Sequence, residues 1–343
     1  MNSTTDGIVE PGLMAHTTLP MFPTSSRPFM GQLLVNAGRL SPENVERIIA
    51  FQQEKSMRFG EVGRALGFLT EGDVRFALSL QYQYVKSLGI ADEWLQRWSR
   101  LLDKIERVHT FAEKRQLLER LGHPVRPFVL AFANAHAMNS LAVSDCFFKA
   151  LCAADMVLRD GSGMATLFKF LKIPPGLNLN GTDLIPELLW QFNGRNIALF
   201  GTQSPYLERG MQVASHEFAP QSRYISENGF LDVAAYLALA ATHQPALIVL
   251  GMGMPRQEEV ASALRSELKF PCLIVCGGAI IDFLGGKTSR APSWLRSIGM
   301  EWVFRLGTEP RRLFRRYVIG NPLFLTRALR LASLNRRLER HAP

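Results

Sequence analysis

The chain has 343 residues, 47% of them hydrophobic and 20% charged, with a formal net charge of +9. That length suits one large domain plus a small one, and the composition is ordinary for a folded protein. No run of about 18 apolar residues occurs, so no segment reads as a membrane-crossing helix, and the N-terminus lacks the basic-then-apolar order of a secretory signal.

The charge is unevenly placed. From Lys287 to the end there are 13 Lys/Arg against three acids, a balance of +10, which leaves 26 basic and 27 acidic groups elsewhere. Such a patch is a footprint for phosphate, whether in nucleic acid, anionic lipid or a pyrophosphate ligand. The four cysteines, Cys146, Cys152, Cys272 and Cys276, lack paired metal spacing and fit a reduced cytosol.

Residues 1–27 are rich in Thr, Ser, Pro and Gly and read as a disordered lead-in. An internal repeat follows over 28–85. Gly31, Gly38, Leu40, Val45 and Gln52 recur 29 positions on as Gly60, Gly67, Leu69, Val74 and Gln81. Ser41 and Thr70 share one slot and suit helix N-caps, so each copy predicts a short helix, a Gly turn and a capped helix. Residues 86–122 carry an amphipathic helical pattern, either a connector or the first helix of the next domain.

From 123 to 286 the texture changes to short apolar runs alternating with helical patterns. FVLAFA (128–133), DMVL (155–158), NIALFG (196–201), ALIVLG (246–251) and CLIVCG (272–277) are strand candidates. Continuous apolar strands separated by helices predict an α/β, Rossmann-like parallel sheet covered on both faces. Ligands in such folds bind beyond the carboxyl ends of the strands.

Several of those loops carry chemistry. Asp160 follows DMVLR beside Gly161 and Gly163, where a carboxylate serves either as a base or as a plain helix cap. Gly201 opens GTQSP, whose following helix start can hold a diphosphate or serve packing only. Gly251 and Gly253 precede Pro255, Gln257 and Glu258, a pair suited to sugar hydroxyls or a uracil edge, or simply to the helix dipole. Gly278 and Asp282 follow the CLIVC run. Residues 287–343 then form a basic, aromatic appendage in which Arg305, Arg311, Arg312, Arg315 and Arg316 can share helix faces. Such helices either bind phosphate and lie among headgroups or form a soluble cap with solvated arginines.

The ordered strings FANAHAMNSL, ADMVLRDGSGM, NGTDL, ALFGTQ, LIVLGMGMPRQEE and CGGAIIDFLGGKTSRAPSWLRSIGMEWVFRLGTEPRRLFRRYVIGNP resemble the WecG/TagA/CpsF glycosyltransferases (family 26) from about Phe128 to Leu325. The resemblance implies transfer of a sugar from a UDP-sugar to a polyprenyl-diphosphate-linked glycan, in exopolysaccharide, capsule or cell-envelope polysaccharide synthesis. It implies a cytoplasmic protein peripheral on the inner face of the bacterial membrane. Asp160 fits the catalytic base and Gln257–Glu258 the nucleotide-sugar pocket. The five appendage arginines fit the diphosphate and membrane contact. Asn134, Thr182 and Gly278 fall within matched strings and are read as substrate contacts. Phe132 departs from the family, where Thr often stands, so that hydroxyl contact is absent or supplied elsewhere.

The chain contains no Asp-x-Asp, so direct, inverting transfer without a metal is expected, and no cofactor beyond the donor itself. The repeat resembles the tandem motif of secretion-ATPase N-terminal domains, some of which bind cyclic di-GMP. That implies regulatory residues Arg58, Gly31 and Gly60, or else docking to another polysaccharide-synthesis protein. The alternative reading of the whole chain is a non-catalytic scaffold responsive to cyclic di-GMP. A nucleic-acid partner is not expected.

Overall fold

The computed structural model describes residues 27–54, 59–77, 80, 93–292, 294–295 and 299–341, with backbone alone for 27–29, 53–54 and 337–341. Arg58 and the 81–92 stretch lie outside the described residues.

Seven strands form one all-parallel sheet: β1 (Ile105–Glu106), β2 (Phe128–Ala133), β3 (Met156–Arg159), β4 (Ile197–Gly201), β5 (Tyr224–Glu227), β6 (Leu247–Gly251) and β7 (Leu273–Cys276). Their spatial order is β1-β3-β2-β7-β6-β4-β5. Side chains alternate between two covered faces, as a parallel sheet requires. In β2, Val129, Ala131 and Ala133 enter one core cluster while Leu130 and Phe132 enter the other. The fold is the Rossmann-like α/β architecture expected from the alternating pattern.

One face is covered by helices that include Glu93–Lys104, Ala135–Val143, Gly161–Phe170, Arg256–Glu267 and Gly320–His341, contributing Leu95, Trp98, Met138, Phe168, Val260 and Phe324 to the core. The other is covered by Phe111–Gly122, Gly181–Gln191, Tyr206–Val213 and Ile280–Leu284. Trp98 is fully buried, donates its indole N–H to the Met138 carbonyl at 2.7 Å and stacks near Phe324 at 5.4 Å. The 93–104 helix therefore packs into the core that covers this face of the sheet. The last helix belongs to that core as well, since Phe324, Ala328, Leu331 and Ala332 are all buried. The basic segment thus divides into a cap over 301–319 and an embedded helix after it.

The N-terminal repeat folds as its spacing predicts. Gly38 and Gly67 adopt left-handed backbone at φ 65° and 72°, ending the first helix of each copy. Ser41 and Thr70 cap the next helices by accepting from Asn44 N–H at 3.2 Å and Asp73 N–H at 3.1 Å. Gly31 and Gly60 are packing positions. A Cβ on Gly31 would meet Val45 at 2.9 Å, and one on Gly60 would meet Val74 at 3.0 Å, so the repeat reproduces one helix–helix contact twice.

Candidate active site

Every loop singled out in the α/β domain lies at the carboxyl edge of the sheet. After β2, Asn134 caps the helix Ala135–Val143: its Oδ1 accepts from Ala137 N–H at 3.0 Å. That bond orients the amide, leaving Nδ2 to donate to Asp160 Oδ2 at 3.1 Å. Asp160, after β3, occupies the N-cap position of Gly161–Phe170 yet makes no side-chain cap hydrogen bond. A carboxylate in this position ordinarily turns back onto its own helix; this one, half-buried, is held toward Asn134. Gly161 is left-handed at φ 83°, and Gly163 lets the helix approach Ala135 and Phe324 closely.

The cap over 301–319 closes on this carboxylate. Ser162 Oγ donates to the Gly299 carbonyl at 3.0 Å, and Asn139 Nδ2 donates to the Gly320 carbonyl at 2.7 Å. Arg316 lies within electrostatic reach of Asp160, Tyr317, Arg305 and Arg312. Burial holds its guanidinium below the usual range; Arg305 and Arg312 act in the same direction, Tyr317 and Asp160 against it. The Nε atoms of Arg305, Arg316 and Arg290 are buried without a hydrogen-bond partner. Buried donors left open in this way carry a high desolvation cost unless an acceptor arrives.

The five arginines separate into two groups. Arg305, over the Phe283 ring at 5.4 Å, and Arg316 are half-buried and face the crevice side. Arg311 and Arg315 are exposed, and exposed Arg312 pairs with Glu309. The exposed arginines interleave with outward apolar side chains: Phe314 and Ile319 are 51% and 54% exposed, with Val318 and Leu323 beside them.

The loops after β6 and β7 are more inward than expected. Gln257 and Glu258 are both buried. Gln257 Oε1 accepts from Gly278 N–H at 2.9 Å and its Nε2 donates to Glu258 Oε1 at 2.8 Å, so the pair tethers the loop after β7. Glu258 Oε2 has no partner, and burial pushes this carboxyl up to about 8. Asp282 is likewise occupied: it accepts from the Thr202 hydroxyl, and Lys287 Nζ lies 3.2 Å from it.

Gly201 and Gly251 are register partners whose backbones touch; a Cβ on Gly201 would lie 2.5 Å from Gly251. Gly253 and Gly278 have positive φ at 80° and 62° with open space around them. Thr182 is half-buried in the first turn of Gly181–Gln191, beside Asp183, which takes Arg290 Nη2 at 2.6 Å. Phe132 is buried in the core and offers nothing to the crevice.

Sequence reasoning missed Arg159, Thr202, Lys287, Arg290 and His136. Thr202 is a β-branched residue at φ 46°, a strained conformation of the kind that collects at functional loops. No sequence pattern announces it. His136 sits two positions past Asn134; burial, then the Arg316 charge, pushes its imidazole down to about 4. Among the described residues no group of three or more His, Cys, Asp or Glu stands where it could hold a metal ion.

A parallel α/β sheet with a carboxylate held off its helix cap and arginines at its carboxyl edge is the Rossmann-like framework on which ligands bind beyond the strand ends. The chain belongs to the glycosyl transferase WecG/TagA/CpsF family, whose sequence model matches residues 102–338, and it is a glycosyltransferase. Among its relatives is the N-acetylglucosaminyldiphosphoundecaprenol N-acetyl-beta-D-mannosaminyltransferase of Staphylococcus aureus (strain NCTC 8325 / PS 47), 25% identical over 197 residues, covering 56% of this chain and 76% of the relative. The enzyme of the same name from strain MRSA252 matches with the same identity and coverage.

Proposed function

We propose that the chain transfers a hexose or N-acetylhexosamine from a UDP-sugar to a polyprenyl-diphosphate-linked glycan at a membrane surface, in cell-envelope or exopolysaccharide synthesis. Asp160 is the general base. The acceptor oxygen attacks the anomeric carbon as its proton passes to Asp160; the bond from that carbon to the β-phosphate oxygen breaks, and UDP leaves with the electron pair, inverting the centre. Arg305 and Arg316 offset the diphosphate charge, Gln257 and Glu258 shape the loop of the donor pocket, and no metal takes part. The observation that carries this reading is the Asp160 carboxylate, at an N-cap position yet unused for capping and within electrostatic reach of Arg316. The names of the staphylococcal relatives support an acceptor of the polyprenyl-diphosphate N-acetylglucosamine type.

Membrane contact is supported by the exposed Phe314, Val318 and Ile319 among Arg311, Arg312 and Arg315. No helix among the described residues is long and apolar enough to cross a membrane. The N-terminal module is a regulatory or docking unit, with cyclic di-GMP as its first candidate ligand. UDP release from UDP-sugars in the presence of a lipid-diphosphate acceptor tests the reading, with and without cyclic di-GMP. Activity lost in EDTA and restored by manganese would contradict the metal-free chemistry. Cyclic di-GMP binding without turnover would replace the enzyme with a scaffold.

A further inference from the structure

Asp160 has an internal control elsewhere in the same chain. Asp232 stands at the same N-cap position of Val233–His243 and does what an Asp there ordinarily does: its Oδ1 accepts from Ala235 N–H at 2.7 Å. Ser144, Asn180 and Thr110 cap their helices in the same way. Asp160 alone among these makes no such bond. What differs is its surroundings. Asn178 Oδ1 accepts from Gly161 N–H at 2.8 Å, and the Gly161 carbonyl accepts from Arg159 Nη1 at 3.0 Å. The residue that follows Asp160 is therefore held at both its N–H and its C=O.

The clamp is itself anchored. Arg159 is buried, and its Nε and Nη2 donate to the carbonyls of Pro175 and Gly176, each at 3.0 Å. All three guanidinium nitrogens thus serve backbone oxygens on the two segments being joined. The 174–178 turn is fixed from its other side: Leu177 N–H donates to the Val108 carbonyl at 2.6 Å. Gly176 has φ 67°, and a Cβ there would lie 2.5 Å from that same carbonyl oxygen. Neither Arg159 nor Asn178 hydrogen-bonds the Asp160 carboxylate, although the Arg159 guanidinium lies within its electrostatic reach.

Resting on the reading of Asp160 as the base, we propose that Asn178 and Arg159 are positioning residues that pin Gly161 and thereby keep the Asp160 carboxylate on Asn134 and out of its own helix cap. Asn178 serves the first open N–H of the helix, and Asn134 takes the carboxylate. Remove the clamp, and Asp160 relaxes to the capping geometry that Asp232 shows.

The experiment measures kcat and KM of the full chain for transfer from a UDP-sugar to polyprenyl-diphosphate N-acetylglucosamine, with melting temperature recorded for each variant. Asn178→Ala should lower kcat roughly tenfold to a hundredfold and leave both KM values within about twofold. Its melting temperature should barely move, because Asn178 is exposed. Asn178→Asp retains an acceptor oxygen and should restore most of kcat. Arg159→Met should fall in the same direction but also lose stability, so the Asn178 pair decides. Wild-type kcat in Asn178→Ala, or a defect that Asn178→Asp does not repair, overturns the proposal. Asp160→Asn, run in parallel, separates the two levels. Normal turnover there removes the base reading and the clamp with it, whereas an inert Asp160→Asn beside a wild-type Asn178→Ala removes the clamp alone.

Discussion

Replacing Glu258 by Gln should make the protein more stable at alkaline pH and leave it nearly unchanged at pH 5. The carboxyl is 2% exposed, accepts one hydrogen bond from Gln257, and has no partner at Oε2. No ion pair reaches it among the described residues. Burial therefore raises it from 4.5 to about 8. Between those values the native protein holds a proton that the unfolded chain has released. Stability then falls as pH rises through this window and levels off above it. At 1.36 kcal/mol per pH unit the ceiling is about 5 kcal/mol, and structural relaxation reduces it to about 2–3 kcal/mol. Gln is nearly isosteric, keeps the acceptor for Gln257, and places an amide where a hydroxyl already lacked a partner. Urea unfolding of both proteins at pH 5 and pH 9 measures the difference. Parallel loss of stability in wild type and variant across that range would refute the neutral carboxyl.

Other consequences follow from the same geometry. Gly201→Ala should cost about 3 kcal/mol or more, visible as a lowered melting temperature, because its Cβ meets Gly251 backbone at 2.5 Å and neither strand can yield. Arg305→Gln with Arg316→Gln should slow departure of UDP, lowering kcat at least tenfold; an unchanged kcat would detach these half-buried guanidiniums from the leaving diphosphate. Phe314→Ser with Ile319→Ser should reduce co-sedimentation with vesicles containing anionic lipid while preserving the fold, since both side chains already face outward.

Much of this was legible in sequence because burial on both sheet faces leaves uninterrupted apolar runs. β2, β4, β6 and β7 fall within FVLAFA, NIALFG, ALIVLG and CLIVCG, each within one residue of the run's ends. β5, Tyr224–Glu227, escaped because an edge strand is only half-buried and keeps Ser226 and Glu227. β1 has two residues and directly follows an amphipathic helix, whose periodicity hides it. Trp98 and Phe324, far apart in sequence, pack together on the sheet, and no local pattern reports that contact.

The site shows the same division. Strand-end position located Asp160, Asn134 and the glycine turns, because topology puts every such loop on one edge. Which arginines face inward depends on the packing of 301–319 onto the crevice, and sequence had all five equivalent. From their place in a helix first turn, Gln257 and Glu258 read either as ligand contacts or as partners of the helix dipole, and the family resemblance put them in the nucleotide-sugar pocket. Their burial makes them the tether of the Gly278 loop.

The most direct measurement is the rate of sugar transfer from a UDP-sugar to polyprenyl-diphosphate N-acetylglucosamine by wild type and Asp160→Asn, both shown to be folded by matching melting curves. The predicted result is a loss in kcat of about a hundredfold or more with substrate binding retained. Near-normal turnover by the folded Asp160→Asn protein would contradict the assignment of the base.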